Sequence, residues 1–167
     1  LPFPYLPPRV RVAAMASYVI AGRADDIAFA RAEYAAKQIE AACPNVFFQF
    51  EMKHTSEWHD FFKSVLRKYD FVGFPEDFRG PLVWTLEGDL IGDAPAFIQE
   101  VCIQKYGIKD VPALSDPRFK FIVEDNGQQV KMQQNRQKHG PPLAEKCEAA
   151  WAKTERLVAP RSYDQKR

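Results

Sequence analysis

The chain has 167 residues, 46% of them hydrophobic and 13% aromatic, enough for one ordinary domain with additional segments. A formal net charge of +1 gives no field that would mark a nucleic-acid binder, and no stretch has the length and apolarity of a membrane span. Three scattered cysteines, Cys43, Cys102 and Cys147, show neither a CxxC nor a metal-ligand spacing, which argues for a reducing compartment rather than a disulfide framework.

Residues 1–15 read as an extended, proline-rich arm. Leu1 to Pro8 is too short and too rich in proline for the apolar core of a signal peptide. Met15-Ala16-Ser17 would make a natural start. Ser17 to Ala21 reads as a short buried strand, and Gly22 to Asp26 as the loop after it. Asp25 or Asp26 can cap a helix running to about Ala42, with Ile27, Ala30, Tyr34 and Ile39 as its apolar stripe. Val46 to Met52, rich in Val and Phe, reads as a second strand parallel to the first, completing a right-handed βαβ unit.

Ser56 then starts a helix in which Trp58, Phe61, Phe62, Val65 and Leu66 recur at i, i+3, i+4, i+7 and i+8, the clearest helical period in the chain. Residues 70–80 form a loop containing Phe and Gly. Leu82 to Leu86, the turn Glu87-Gly88-Asp89 and Leu90-Ile91 read as a β-hairpin, with Pro81 at the first residue of its strand. Asp93 caps a third helix with Pro95 in its first turn, and Phe97, Ile98, Val101 and Cys102 share one face before Gly107 stops it. The order is β-α-β-α-β-β-α, an α/β fold.

Residues 108–167 read as a polar tail that cannot form its own core. Phe119 to Val123 suggests a short strand followed by a turn at Asp125-Asn126-Gly127, and Leu143 to Val158 a helix. Residues 1–107 carry 11 Lys and Arg against 14 Asp and Glu, a net of −3, whereas residues 108–167 carry 12 against 8, a net of +4. A basic tail of this kind suits an acidic surface.

The hairpin and helix after Pro81 resemble the second half of a thioredoxin or glutaredoxin domain. The resemblance implies a cis bond at Pro81, facing the place where strand one meets helix one. In that family the latter place presents a thiolate at a helix N-terminus. Here it is Arg23-Ala24-Asp25-Asp26, with no Cys, Ser or His, and two carboxylates that disfavour glutathione or phosphate. Catalytic residues, cofactor and metal are therefore expected to be absent. Cys102 reads as a core residue. His54 and His59, five apart, lack the spacing of a helical metal pair, and His139 lies in the tail.

The segment Tyr18-Val19-Ile20-Ala21-Gly22-Arg23-Ala24-Asp25, with Trp58 and Pro81-Leu82-Val83-Trp84 after it, is similar to the N-terminal domain of the malate dehydrogenase 1B proteins. The similarity spans roughly residues 16–107. It departs at Asp26, often a cysteine in that group, and the dehydrogenase domain has no counterpart here, so malate oxidation does not carry over. The resemblance implies a setting in motile cilia and sperm flagella, with axonemal proteins or tubulin as partners in a hetero-oligomeric assembly. The expected contact residues are Phe3, Tyr5 and Leu6 in the N-terminal arm, and Phe119, Phe121, Trp151 and Tyr163 in the tail. Two other readings stay open: a divergent glutathione or thiol oxidoreductase, and a subunit of another large complex such as a mitochondrial assembly.

Overall fold

The computed structural model describes residues 15–140, 145–150 and 152. They belong to two units, one ending at Gln128 and the other beginning at Gln129. The first contains β1 (Ala16–Arg23), α1 (Ile27–Ala42), β2 (Val46–Lys53), α2 (Thr55–Tyr69), β3 (Leu82–Thr85) and β4 (Leu90–Gly92). Next comes one α-helical turn, α3 (Ala94–Ala96), which runs directly into a π-helical segment, Phe97–Lys105. α4 (Arg118–His139) starts in the first unit and continues into the second.

The strands form one mixed sheet in the order β2-β1-β3-β4. β1 and β2 run parallel, from Ala16 opposite Val46 to Arg23 opposite Lys53. β3 lies antiparallel to β1, with Leu82 opposite Ala21, and pairs antiparallel with β4. The fold is α/β, and its elements follow the expected β-α-β-α-β-β-α order as far as Lys105.

β1 is central and apolar on both sides, as a strand covered on both faces must be. Tyr18 and Ile20 face the core shared with α1 and the π-helical segment, while Val19 and Ala21 face the core built on α2. Four buried alanines, Ala30, Ala32, Ala35 and Ala36, sit with Phe29 and Ile39 among the buried residues of α1. Ile27, expected in that stripe, is instead half exposed in the first turn, and Phe29 takes the buried place.

α2 buries Trp58, Phe62 and Val65 as its period requires. Its cap is His54 rather than Ser56: the His54 Nδ1 accepts the backbone N–H of Ser56 at 3.2 Å. The loop after α2 folds back on it. Phe74 and Phe78 pack on Phe62 with ring centroids 5.9 and 5.2 Å away, and the Trp58 indole N–H donates to the Phe78 carbonyl at 3.1 Å. This anchors the approach to Pro81. The described peptide bonds are all trans, Gly80–Pro81 included, so the cis bond implied by the resemblance is absent. Trans is the lower-energy isomer by about 0.5–1 kcal/mol, and the loop held by Phe78 reaches Leu82 in that form.

Phe97, Ile98, Val101 and Cys102 are buried as expected, but the winding is wider than α. Tyr106 N–H bonds to the Val101 carbonyl at 3.1 Å, a five-residue step, and Tyr106 thereby joins the same core.

Beyond Gly107 the reading changes most. Residues 119–123 are helical, not a strand, and Asp125-Asn126-Gly127 lies inside α4 rather than forming a turn. The helix is held in the first unit by Phe119, 0% exposed, whose ring meets Tyr34 edge-on at 5.9 Å. Asn126, also buried, donates to the Glu33 carboxylate at 3.0 Å. In the second unit residues 145–150 are helical, and Arg136 pairs with Glu145 at 2.8 Å.

Candidate functional site at the end of β1

The strongest sequence expectation concerns the junction of β1 with α1, at the carboxyl ends of β1 and β2. That end of an open α/β sheet is where ligands commonly bind. Arg23 is the last residue of β1. Its guanidinium grips Asp25 with two bonds, Nε to Oδ1 at 2.9 Å and Nη2 to Oδ2 at 2.6 Å. This planar fork is the strong geometry of an arginine–carboxylate pair. It raises the Arg23 pKa and, with a bond to Thr55, holds the Asp25 carboxyl below its ordinary value.

Asp26 is the N-cap of α1, accepting the Ala28 N–H at 2.9 Å. Burial raises its pKa, outweighing the Ala28 bond and the nearby Arg23 charge. The two adjacent carboxylates therefore move in opposite directions. Pro81 is buried one residue beyond the Ala21–Leu82 pair, which places it beside Gly22 at the same end of β1. Arg23, Asp25 and Asp26 are thus brought together, and the register of β3 sets Pro81 at the same end of β1.

A cavity of ≈ 520 Å³ opens beside this junction, lined by Arg23, Thr55, Trp58, His59 and the loop residues Glu76 to Arg79. The sequence did not place Thr55, His59 or Arg79 at this junction: α2 starts directly after β2, whose Lys53 pairs with Arg23, and Arg79 arrives with the loop that folds back onto α2. The lining carries both signs of charge and can hold a polar segment. It has no thiol or hydroxyl nucleophile apart from the Thr55 hydroxyl, which bonds to Asp25. The α1 N-terminus, the usual place for an anion, has its Ala28 amide already bound to Asp26.

The thiols lie elsewhere. Cys102 is buried in the π-helical segment, and burial pushes its pKa up to about 12, opposite to an activated thiolate. Cys43 is the C-cap of α1, at the far end of that helix from the junction, and Cys147 is exposed in the second unit. Among the described residues no group of three His, Cys, Asp or Glu could hold a metal ion, and no helix is long and apolar enough to cross a membrane.

The expected contact residues fare differently. Phe119 is a correction: it is sealed against Tyr34 and cannot anchor a partner. Phe121, on the same helix, is 72% exposed. Phe3, Tyr5, Leu6, Trp151 and Tyr163 lie outside the described residues. In comparisons with known proteins, no family model and no curated sequence matches the chain.

Proposed function

We propose that the chain is a non-catalytic, thioredoxin-like adaptor of a large protein assembly, the ciliary or flagellar axoneme, with axonemal proteins or tubulin as neighbours. The non-catalytic reading is carried by one observation. Where a thioredoxin-like enzyme presents its nucleophile, this chain has the closed Arg23–Asp25 fork and a carboxylate cap, with no cysteine beside them. The thioredoxin-like reading is supported by the mixed order β2-β1-β3-β4 with helices on both faces. The trans bond at Pro81 departs from that family, as does the missing thiol. The axonemal setting rests on the similarity of residues 16–107 to the malate dehydrogenase 1B proteins. Of the expected contact residues, Phe121 is the one both described and exposed, and it serves as the docking side chain in that reading.

An oxidoreductase needs a low-pKa thiol. Iodoacetamide labelling of the native protein at about pH 6, where only such a thiol is ionised, is expected to leave Cys43, Cys102 and Cys147 essentially unmodified. Turnover of a glutathione mixed disulfide is expected to stay at background. Rapid labelling of any of the three together with turnover would overturn the adaptor reading in favour of an enzyme.

A further inference from the structure

A larger cleft lies at the opposite end of β1 from Arg23. Tyr18 precedes Arg23 by five residues, about 17 Å along a strand. The cleft, ≈ 880 Å³, is enclosed by the start of β1, the turn after α1, the end of β3 and Lys105-Tyr106. Met15, Ala42, Val46 and Leu86 give it apolar walls. This size is typical of small-molecule sites, which combine apolar walls with a few convergent polar groups.

The polar groups gather at one corner. Lys105 Nζ donates to the Tyr18 hydroxyl at 2.6 Å, and the Tyr18 and Tyr106 oxygens stand 3.4 Å apart. The ammonium also lies 5.3 Å and 5.5 Å from the two ring centroids. Counting protons exposes a surplus. The two phenols share one contact, so whichever donates, one O–H is left without an acceptor among the described residues. Lys105 is exposed, so two of its three ammonium protons are open to solvent or to a ligand. Lys105 makes no ion pair among the described residues, whose pairs all involve other cations. Burial and the neighbouring Tyr18 push the Tyr106 pKa up to about 12, so its proton stays on as a donor at neutral pH.

A lysine in a last helical turn ordinarily offsets the helix dipole. That accounts for the charge at this position but not for the unassigned phenolic proton beside it. These converging donors at an apolar-walled cleft can serve an acceptor group on a ligand in place of water. One cation matches one negative charge, and the C-terminal end of α1 together with Glu87 on the cleft wall disfavours a dianion such as phosphate.

We propose that this cleft binds a small organic carboxylate with an apolar body, its carboxylate held by Lys105 and Tyr106 and its body laid against Met15, Val46 and Leu86. This site is independent of the junction at Arg23 and of the adaptor reading.

The test titrates the full chain with 3-phenylpropionate and octanoate, and with the corresponding amides, followed by nuclear magnetic resonance and calorimetry. Saturable binding of a carboxylate is expected, with shifts at Tyr18, Val46, Leu86 and Tyr106, and at least tenfold weaker binding of its amide. Lys105→Met is expected to weaken the carboxylate at least tenfold and Tyr106→Phe about threefold. Lys68→Met, on the α2 side of the sheet, should leave binding unchanged. The amide comparison uses the unaltered protein, so it stands even if a variant misfolds. No carboxylate binding, equal binding of the amide, or full binding by folded Lys105→Met would each overturn the proposal.

Discussion

The ring of Phe29 occupies the space in which a side chain at Gly22 would have to sit. A Cβ built on Gly22 would lie 2.7 Å from the Phe29 Cγ and 2.9 Å from its Cβ, closer than real contacts allow. Phe29 is fully buried and cannot step aside. The glycine in Ala21-Gly22-Arg23 is therefore a packing requirement that lets α1 close on β1 just before the Arg23–Asp26 junction. Gly22→Ala is expected to destabilise by about 1–3 kcal/mol, the usual cost of overpacking a core. Phe29→Ala, which removes the Cγ that a Cβ at Gly22 would meet, should reduce that cost in the double variant, because the two residues share one space. Urea unfolding of the four proteins measures the coupling, and strict additivity would show that the two positions do not compete.

The carboxylates at the junction should titrate on opposite sides of the ordinary aspartate value of 3.8, Asp25 below it and Asp26 above it. Carbon-detected magnetic resonance of the side-chain carboxyls reads each directly, and the reverse order would contradict the geometry. The linked stability follows in sign. The Asp25 contribution is fully present above its unfolded value and is lost as pH falls through its lower folded value. With its side chain 50% exposed, that pair is worth less than about 1 kcal/mol after solvent screening. The Asp26 contribution has the opposite sense: it is present below the unfolded value and is lost as pH rises through the raised folded one. Asp26→Asn keeps a capping side chain and removes a buried charge, so it should be neutral or stabilising at neutral pH. Asp26→Ala loses the cap and should cost about 1 kcal/mol.

Trp84 is 3% exposed, and its indole N–H is buried without an acceptor among the described residues. Tyr69 and Phe71 lie against its ring, at 5.8 and 6.3 Å between centroids. Removing that donor while keeping an aromatic ring should offset much of the lost packing. Trp84→Phe is accordingly expected within about 1 kcal/mol of the parent, whereas Trp84→Ala should cost about 3–5 kcal/mol. Comparable losses for both would mean that the N–H has a partner in solution.

The front of the chain was legible because each element there carries its own local signal. The Trp58–Phe62–Val65 spacing, the Asp26 and Asp93 caps and the Glu87-Gly88-Asp89 turn all recur in the structure. α4 was not legible for a physical reason. Phe119, Ile122, Val123 and Asn126 do recur at helical spacing, but the buried position at Asn126 is polar and is followed by Gly127. Asn-Gly ordinarily signals a turn, and the Glu33 carboxylate that satisfies Asn126 lies 93 residues away. The same limit applies to the junction. Arg23, Asp25 and Asp26 could be named from their place after the first strand, but the loop that brings Arg79 and Phe78 beside them is fixed by rings stacking on α2. The corner of Lys105 with Tyr18 and Tyr106 spans 88 residues and depends on the π-helical winding, which no spacing in the sequence signals.

The axonemal adaptor role is tested most directly by fractionating isolated motile cilia with detergent and then with rising salt, following this protein by quantitative mass spectrometry. As an axonemal adaptor it is expected to stay with the detergent-resistant axoneme and to leave only as salt screens its charged contacts. Release with the soluble matrix, or absence from cilia altogether, would contradict the adaptor role.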